Sequence, residues 1–170
     1  MARLVMLSGL PGSGKSTLGR ELASRTGAIL LRIDSFEQDL RNQHGDDYDV
    51  GTRGYETGYL LARKHLDAGK SVIADAVNAV EAARNGWRDI ARETHADLAE
   101  IEIVCSAPDE AGERLRTRDT GIEGLAAVSP EARAARGWEP NPHVSAVIDT
   151  AGRSIEDCAS DLCQASGLLA

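Results

Sequence analysis

Short apolar runs alternate with amphipathic stretches along the chain, as expected for strands that alternate with helices. The runs RLVMLS, AILLRI, SVIAD, LAEIEIVC and VSAVID predict five strands, over residues 3–8, 28–33, 71–75, 98–105 and 144–149. Between them, apolar residues recur at helical spacing, for example Tyr55, Tyr59, Ala62 and Leu66. Parallel strands need crossover connections, which pack helices against the sheet. The pattern therefore predicts an α/β fold with a parallel sheet covered on both faces.

Two further helices and one irregular segment complete this prediction. The helix after the third strand has an inner stripe of Val80, Ala83, Trp87 and Ile90, and the last helix has an apolar face of Ile155, Cys158, Ala159, Leu162 and Cys163. Residues 120–142 are punctuated by Gly and Pro, and Ser129 and Pro130 open one short helix there. We expect a single domain over residues 1–170 with a mobile lid at about residues 112–142.

Charge and cysteine content narrow the choice of partners and compartment. The formal net charge of −8 disfavours long nucleic acids, because a negative surface repels polyanions. The three cysteines are odd in number and have no framework spacing, which favours a reducing cytoplasm over a secreted scaffold. No apolar run approaches the length of a membrane span, so we expect a cytoplasmic protein without a membrane partner.

The segment GLPGSGKS follows the first predicted strand directly and leads into a helix. This is the spacing of a P-loop, in which backbone N–H groups cradle phosphate oxygens at a helix N-terminus. The lysine of such a loop reaches the outer phosphates, and the serine hydroxyl binds Mg²⁺. The predicted phosphate-binding residues are Gly9, Pro11, Gly12, Ser13, Gly14, Lys15, Ser16 and Thr17, with Lys15 also catalytic and Ser16 also a metal ligand.

The remaining motifs indicate that the nucleotide is a phosphoryl donor and not the ligand of a GTPase switch. The Asn-Lys-x-Asp stretch expected of a GTPase switch is absent from the sequence. Phosphoryl transfer requires a group that orients the acceptor, Mg²⁺ and additional positive charge. Asp34 and Asp75 follow the second and third predicted strands, at the carboxyl ends where ligands of α/β sheets bind. We predict that Asp34 is the base and that Asp75 supports Mg²⁺; the reverse assignment, and a helix N-cap role for either residue, stay open.

Arginines on two predicted helices are candidates for charge stabilisation. Arg114 and Arg118 share one helix face after the fourth strand. We expect Arg118 to cover the transferring phosphoryl group as a lid arginine and Arg114 to contact the nucleotide. Weaker candidates on the short lid helix are Arg133 and Arg136, whereas the series Arg84, Arg88 and Arg92 is mostly a solvated stripe.

These segments resemble the small P-loop kinases related to polynucleotide 5′-kinase, chloramphenicol phosphotransferase, zeta toxin and gluconate kinase, which are AAA-type ATP-binding proteins. MLSGLPGSGKSTLGREL is similar to their P-loop and first helix, LLRIDSFEQDLR to the segment with the catalytic Asp, SVIADAVNAVEAARNGWRDIA to the third strand and next helix, and ERLRTRD to the lid. VIDTAGRSIEDC resembles the last strand and the loop near adenine. The resemblance implies a three-layer P-loop NTPase fold with strand order 2-3-1-4-5, ATP and Mg²⁺ as co-substrates, and Thr150 and Gly152 beside the nucleotide.

One departure from this group bears on the acceptor. Polynucleotide kinases carry an arginine three residues after the catalytic Asp, whereas Glu37 stands there in this chain. We therefore expect an ATP-dependent phosphotransferase that acts on a hydroxyl of a small molecule. The predicted acceptor-binding residues are Asp34, Arg41, Arg53, Tyr55, Asn78 and Arg84. Two alternatives stay open: a nucleoside or nucleic-acid 5′-end kinase, and a regulatory ATPase module without an acceptor. No pattern in the sequence selects ATP over GTP or indicates an oligomeric state.

Overall fold

Strands and helices alternate through most of the computed structural model, which describes residues 1–117 and 119–168. The strands are β1 (Arg3–Ser8), β2 (Ile29–Arg32), β3 (Val72–Asp75), β4 (Asp97–Val104) and β5 (Ala146–Asp149). The helices are α1 (Lys15–Thr26), α2 (Ile33–His44), α3 (Arg53–Asp67), α4 (Glu81–Glu93), α5 (Pro108–Thr117), α6 (Pro130–Ala134) and α7 (Ile155–Ser166). None of these helices is long and apolar enough to cross a membrane.

The five strands form one parallel sheet with the order β2-β3-β1-β4-β5. The predicted α/β fold and strand order are confirmed. Alternate residues of the central strand β1 face opposite sides of the sheet, as strand geometry requires. Val5 and Leu7 pack with α1 and α7, whereas Leu4 and Met6 pack with α3 and α4. The sheet is therefore the middle of three layers, with an apolar core on each face.

The parallel register brings the carboxyl ends of three neighbouring strands together. Leu7 of β1 and Arg32 of β2 both pair with Asp75, the last residue of β3. The loop that follows β1 begins at Gly9 and ends where α1 starts at Lys15. The P-loop, Asp75 and the end of β2 therefore lie at one edge of the sheet, where ligands of such folds bind.

Asp34 lies within α2, although the sequence pattern placed it at the end of a strand. β2 ends at Arg32, which is extended and is the N-cap residue of α2. Asp34 thus occupies the first helical turn, where a carboxylate interacts favourably with the helix dipole. The N-cap alternative is wrong for both aspartates, since Asp75 ends β3 and Val80 caps α4.

Two residues assigned to apolar helix stripes lie at the surface. Val80 is 43% exposed and Ile155 is 56% exposed, because Val80 is the N-cap residue before α4 and Ile155 is the first residue of α7. The stripe residues deeper in these helices, including Trp87, Ile90, Cys158 and Leu162, are buried as predicted. Helical periodicity therefore predicts the buried face correctly only after the first turn.

Candidate active site

Close packing around the P-loop explains its glycines. Gly9 has φ of +152°, and a Cβ atom there would lie 2.3 Å from the carbonyl oxygen of Ile103 on β4. Gly12 has φ of +83°, and its Cβ would lie 2.8 Å from the carbonyl oxygen of Ala111 on α5. A side chain at either position would be strained and would push the loop away from its neighbours. The backbone N–H groups at the start of α1 are thereby held in place.

A hydrogen-bonded network ties the P-loop to the end of β5. The Thr150 hydroxyl donates to the carbonyl oxygen of Ser13 at 2.8 Å, and Nη1 of Arg114 donates to the Thr150 hydroxyl oxygen at 2.7 Å. Glu110 accepts hydrogen bonds from Nη2 of Arg114 and from the backbone N–H of Gly152, at 2.5 and 2.9 Å. The structure therefore brings together Arg114, Thr150 and Gly152, which the sequence assigned to the nucleotide.

A pocket of about 340 Å³ opens over the N-terminus of α1. Its lining includes the predicted phosphate-binding residues Gly12, Ser13, Gly14, Lys15, Ser16 and Thr17, together with Arg114 and Thr150. Gly9 lines a smaller pocket of about 150 Å³. The carbonyl oxygen of Pro11 accepts a hydrogen bond from Nε of Arg133 at 2.8 Å, so α6 contacts the P-loop directly.

Lys15 and Ser16 of the larger pocket form, with Asp75 beside them, a buried constellation suited to Mg²⁺. Nζ of Lys15 lies 3.9 Å from Oδ1 of Asp75, and both side chains are about 95% buried or more. Oγ of Ser16 and Oδ1 of Asp75 are buried and have no hydrogen-bond partner among the described residues. Buried polar atoms are costly when unsatisfied, and hydroxyl and carboxylate oxygens are the ligands that Mg²⁺ prefers. These residues therefore fit a Mg²⁺ ion bound with the phosphates.

Charged and aromatic side chains cluster beside the first turn of α2. Burial and then the charge of Asp34 raise the pKa of Glu37, whereas the nearby guanidinium groups of Arg41 and Arg136 lower it. Burial raises the pKa of Tyr55 to about 12, and its phenol oxygen accepts a hydrogen bond from the backbone N–H of Asn78 at 3.2 Å. The structure thus gathers Asp34, Arg41 and Tyr55 of the predicted acceptor set and adds Glu37 and Arg136.

The pKa of Glu37 leads to a prediction about stability. Because this pKa is raised in the folded protein, the folded protein holds the proton of Glu37 more tightly than the unfolded chain does. The free energy of unfolding therefore decreases as pH rises and the Glu37 carboxyl ionises. We expect Glu37→Gln to unfold at a higher temperature than wild type near neutral pH. The difference should vanish below the ordinary glutamate pKa of about 4.3, where the wild-type carboxyl is protonated in both states. Thermal unfolding across pH measures this, with the exposed Glu123→Gln as control; a destabilised Glu37→Gln at neutral pH would contradict it.

Asn78 and Arg84 are placed differently from the prediction, because both are completely buried. Nδ2 of Asn78 donates to the carbonyl oxygen of Leu7 at 2.8 Å, and its Oδ1 accepts from Nε1 of Trp87 at 3.0 Å. Arg84 donates to the carbonyl oxygens of Asn78 and Pro140, at 3.0 and 3.3 Å. These side chains hold the loop after β3 in place, which argues against direct contact with an acceptor.

The other arginines of the predicted acceptor set and of the predicted solvated stripe also differ in their exposure to solvent. Arg53 is exposed; it donates to the carbonyl oxygen of Asp49 and lies over the ring of Tyr48. The solvated-stripe prediction is wrong for Arg84 and for Arg88, which makes two hydrogen bonds to Glu100 at 2.6 and 2.8 Å. It is confirmed for Arg92, whose side chain is 74% exposed.

The burial of Arg84 predicts a large loss of stability on truncation. We expect Arg84→Ala to lower the free energy of unfolding by about 3 kcal/mol or more, because it leaves carbonyl oxygens of the loop after β3 and of residue 140 without their buried partner. Arg92→Ala, two turns along the same helix, should change it by less than about 0.5 kcal/mol. Urea denaturation of both variants measures the contrast, and equal stabilities would show that Arg84 contributes no more than a surface residue.

Arg32 is a pocket residue to which the sequence analysis assigned no role. Its side chain lines the larger pocket, with Nε 3.5 Å from Oδ2 of Asp75 and Nη1 donating to the carbonyl oxygen of Thr120 at 3.1 Å. The sequence feature that could have indicated a role for Arg32 is its position as the single arginine in the apolar run AILLRI. Arg118, the predicted lid arginine, lies outside the described residues.

A protein-family model described as an AAA domain matches residues 4–135, which include the P-loop, Asp34 and Asp75. The chain belongs to this AAA-domain family. An uncharacterised protein of Mycobacterium tuberculosis is 33% identical over 165 residues, a match that covers 88% of this chain and 32% of the relative. The chain thus spans about a third of the length of the curated relatives it matches.

Solved structures share the fold of this AAA domain. A protein from Chloroflexus aurantiacus superposes with a TM-score of 0.74 at 20% identity, over 96% of this chain and 98% of its own. A sugar kinase from Janibacter superposes with a TM-score of 0.72 at 19% identity, over 99% of this chain and 96% of its own. The APS kinase of Mycobacterium tuberculosis, solved with AMPPNP and APS, superposes with a TM-score of 0.61 at 16% identity, over 99% of this chain and 97% of its own. The resemblance to the P-loop kinase group is therefore confirmed.

Proposed function

We propose that this protein transfers the γ-phosphoryl group of ATP to a hydroxyl group of a small molecule. The observation that carries the proposal is the buried set of Lys15, Ser16 and Asp75 at the same sheet edge as the Asp34 carboxylate. A phosphate-binding loop alone would suit a nucleotide-binding module. A partly buried carboxylate at the same edge of the sheet would supply the group that phosphoryl transfer to a hydroxyl requires.

The P-loop and Lys15 hold the triphosphate with its terminal phosphorus toward Asp34. Asp34 accepts the proton of the acceptor hydroxyl as the oxygen attacks phosphorus, and the bond between the γ-phosphorus and the ADP oxygen breaks. The products are the phosphate monoester and ADP. Ser16 and Asp75 would hold Mg²⁺, which would supply positive charge to the phosphate oxygens.

The segment of about residues 112–142 serves as the lid in this proposal. α6 contacts the P-loop through Arg133, and Arg136 adds positive charge beside Glu37. Closure over the nucleotide excludes water, so that the acceptor hydroxyl competes with hydrolysis. Arg118 stabilises charge on the transferring phosphoryl group, and Arg114, Thr150 and Gly152 support the nucleotide side of the pocket. The lid and these assignments are part of the proposal.

The acceptor is a small molecule and not a nucleic-acid end. Glu37 lies three residues after Asp34 on the same helix, and its negative charge would oppose a phosphate of a polynucleotide bound there. The net charge of −8 acts in the same direction. The solved sugar kinase and the APS kinase share the fold, and their names state small-molecule reactions.

The proposal is tested by ADP release from Mg·ATP with a panel of sugars, nucleosides, amino-sugar nucleotides, antibiotics and a 5′-hydroxyl oligonucleotide. We expect at least one small molecule to raise the rate of ADP release above the rate without acceptor. Stimulation by the oligonucleotide alone would instead identify a nucleic-acid end kinase. Tight binding of ATP with no stimulation by any compound would favour a regulatory ATPase module.

A further inference from the structure

One buried cation at the edge of the phosphate pocket has no role in the reaction described above. Arg32 is the last residue of β2 and pairs in register with Asp75 of β3. Its side chain is 12% exposed and lines the same pocket as Lys15 and Ser16. Burial of a charge is costly unless hydrogen bonds and an opposite charge compensate for it. The contacts of this guanidinium group therefore indicate what it binds.

The protein satisfies only part of the Arg32 guanidinium. Nη1 donates to the carbonyl oxygen of Thr120 at 3.1 Å. Nε lies 3.5 Å from Oδ2 of Asp75, within ion-pair range, yet Nε and Nη2 are both buried and have no hydrogen-bond partner among the described residues. Nε and Nη2 belong to one planar group whose parallel N–H bonds match two oxygens of a phosphate. The pocket-lining arginine thus retains a pair of donors suited to an anion.

Two of the cationic side chains that line the pocket flank a single carboxylate. Nζ of Lys15 lies 3.9 Å from Oδ1 of Asp75, and Nε of Arg32 approaches Oδ2 of the same group. The P-loop surrounds the inner phosphates and its lysine reaches the outer ones. Arg32 therefore approaches the same carboxylate as the lysine that reaches the outer phosphates.

We propose that Arg32 binds the γ-phosphoryl group of the nucleotide and stabilises its negative charge during transfer. The inference rests on the proposed function, since it assumes a nucleoside triphosphate in the pocket. Arg32 differs from a lid arginine because it is fixed on the central sheet. Its backbone position on β2 is set by the sheet, and its hydrogen bond to the carbonyl oxygen of Thr120 also joins it to the lid segment.

Binding of Mg·AMPPNP and Mg·ADP, measured by calorimetry, tests this role. We expect Arg32→Gln to weaken AMPPNP binding by about ten-fold or more, because two charge-assisted hydrogen bonds to the γ-phosphoryl group are lost. ADP affinity should stay close to wild type, because ADP lacks that group. Arg32→Lys keeps a positive charge without the paired donors and should show a smaller loss, again confined to AMPPNP. Arg92→Gln, an exposed arginine of α4, is the control and should change neither affinity.

The outcomes separate this inference from the function on which it rests. An equal loss of AMPPNP and ADP affinity would show that Arg32 positions Asp75 and the P-loop, and unchanged affinities would show no phosphate contact; either result overturns the inference. Should Arg32→Gln fail to fold, the same comparison applies to Arg32→Lys. A wild-type protein that binds neither nucleotide would contradict the proposed function itself.

Discussion

Replacement of Lys15 by methionine is expected to lower phosphoryl transfer from ATP by about 10²-fold or more. Lys15 begins α1, is 4% exposed, lines the pocket and lies beside Asp75. Methionine fills a similar volume without charge, so the variant loses the cation that contacts the outer phosphates while its packing is largely kept. Acceptor-dependent ADP release measures the effect, with the most active compound of the panel as acceptor.

The exposed Lys70 offers a matched control, since Lys70→Met removes the same charge from the surface. We expect Lys70→Met to transfer phosphate at the wild-type rate. Thermal unfolding of both variants separates a catalytic effect from loss of fold. Near wild-type turnover by a folded Lys15→Met variant would contradict the assignment of this loop as the triphosphate site.

Asp34→Asn should lower transfer by about 10²–10⁴-fold and leave ATP binding nearly unchanged. Asparagine has the shape of aspartate and cannot accept the acceptor's proton, whereas the P-loop that binds ATP is intact. Turnover and ATP affinity of the same protein sample, measured by ADP release and calorimetry, give the contrast. The effect on turnover should therefore be far larger than the effect on affinity.

The matched control is Asp39→Asn, which removes an exposed carboxylate from the same helix. This variant should keep full activity. Full turnover by Asp34→Asn would show that the assignment of the base is wrong. In that case Asp75→Asn becomes the decisive variant, because Asp75 is the other carboxylate at the edge of the sheet.

The sequence was sufficient to predict those parts of the site that local chain geometry determines. The spacing from Gly9 to Ser16 predicts a P-loop because the loop backbone needs positive φ angles at Gly9, Gly12 and Gly14, which glycine adopts readily. Apolar runs predict the strands, and their alternation with helices predicts a parallel sheet. The sequence placed Asp34 at the end of a strand because Ile33 continues the apolar run, whereas α2 already starts at Ile33. An error of one or two residues at an element boundary changed its local structure without removing it from the site.

The roles of the buried arginines could not be predicted, since their partners are distant in the sequence. In the sequence, Arg84 occupies what looks like a surface position of an amphipathic helix. In the structure it is buried and donates hydrogen bonds to the carbonyl oxygens of Asn78 and Pro140. Arg32 reaches the pocket because β2 pairs with β3 in one particular register. No pattern of the local sequence specifies either contact. Tertiary contacts therefore decide whether an arginine is solvated, structural or part of the site.

Transfer from ATP labelled on the γ-phosphoryl group tests the central claim most directly. Wild-type protein is incubated with labelled Mg·ATP and each compound of the acceptor panel, and the products are separated into inorganic phosphate and phosphorylated acceptor. The account predicts label in a phosphate monoester of a small molecule, formed by wild type and lost in Asp34→Asn. Label that appears only as inorganic phosphate, with every acceptor and at the same rate in both proteins, would contradict it.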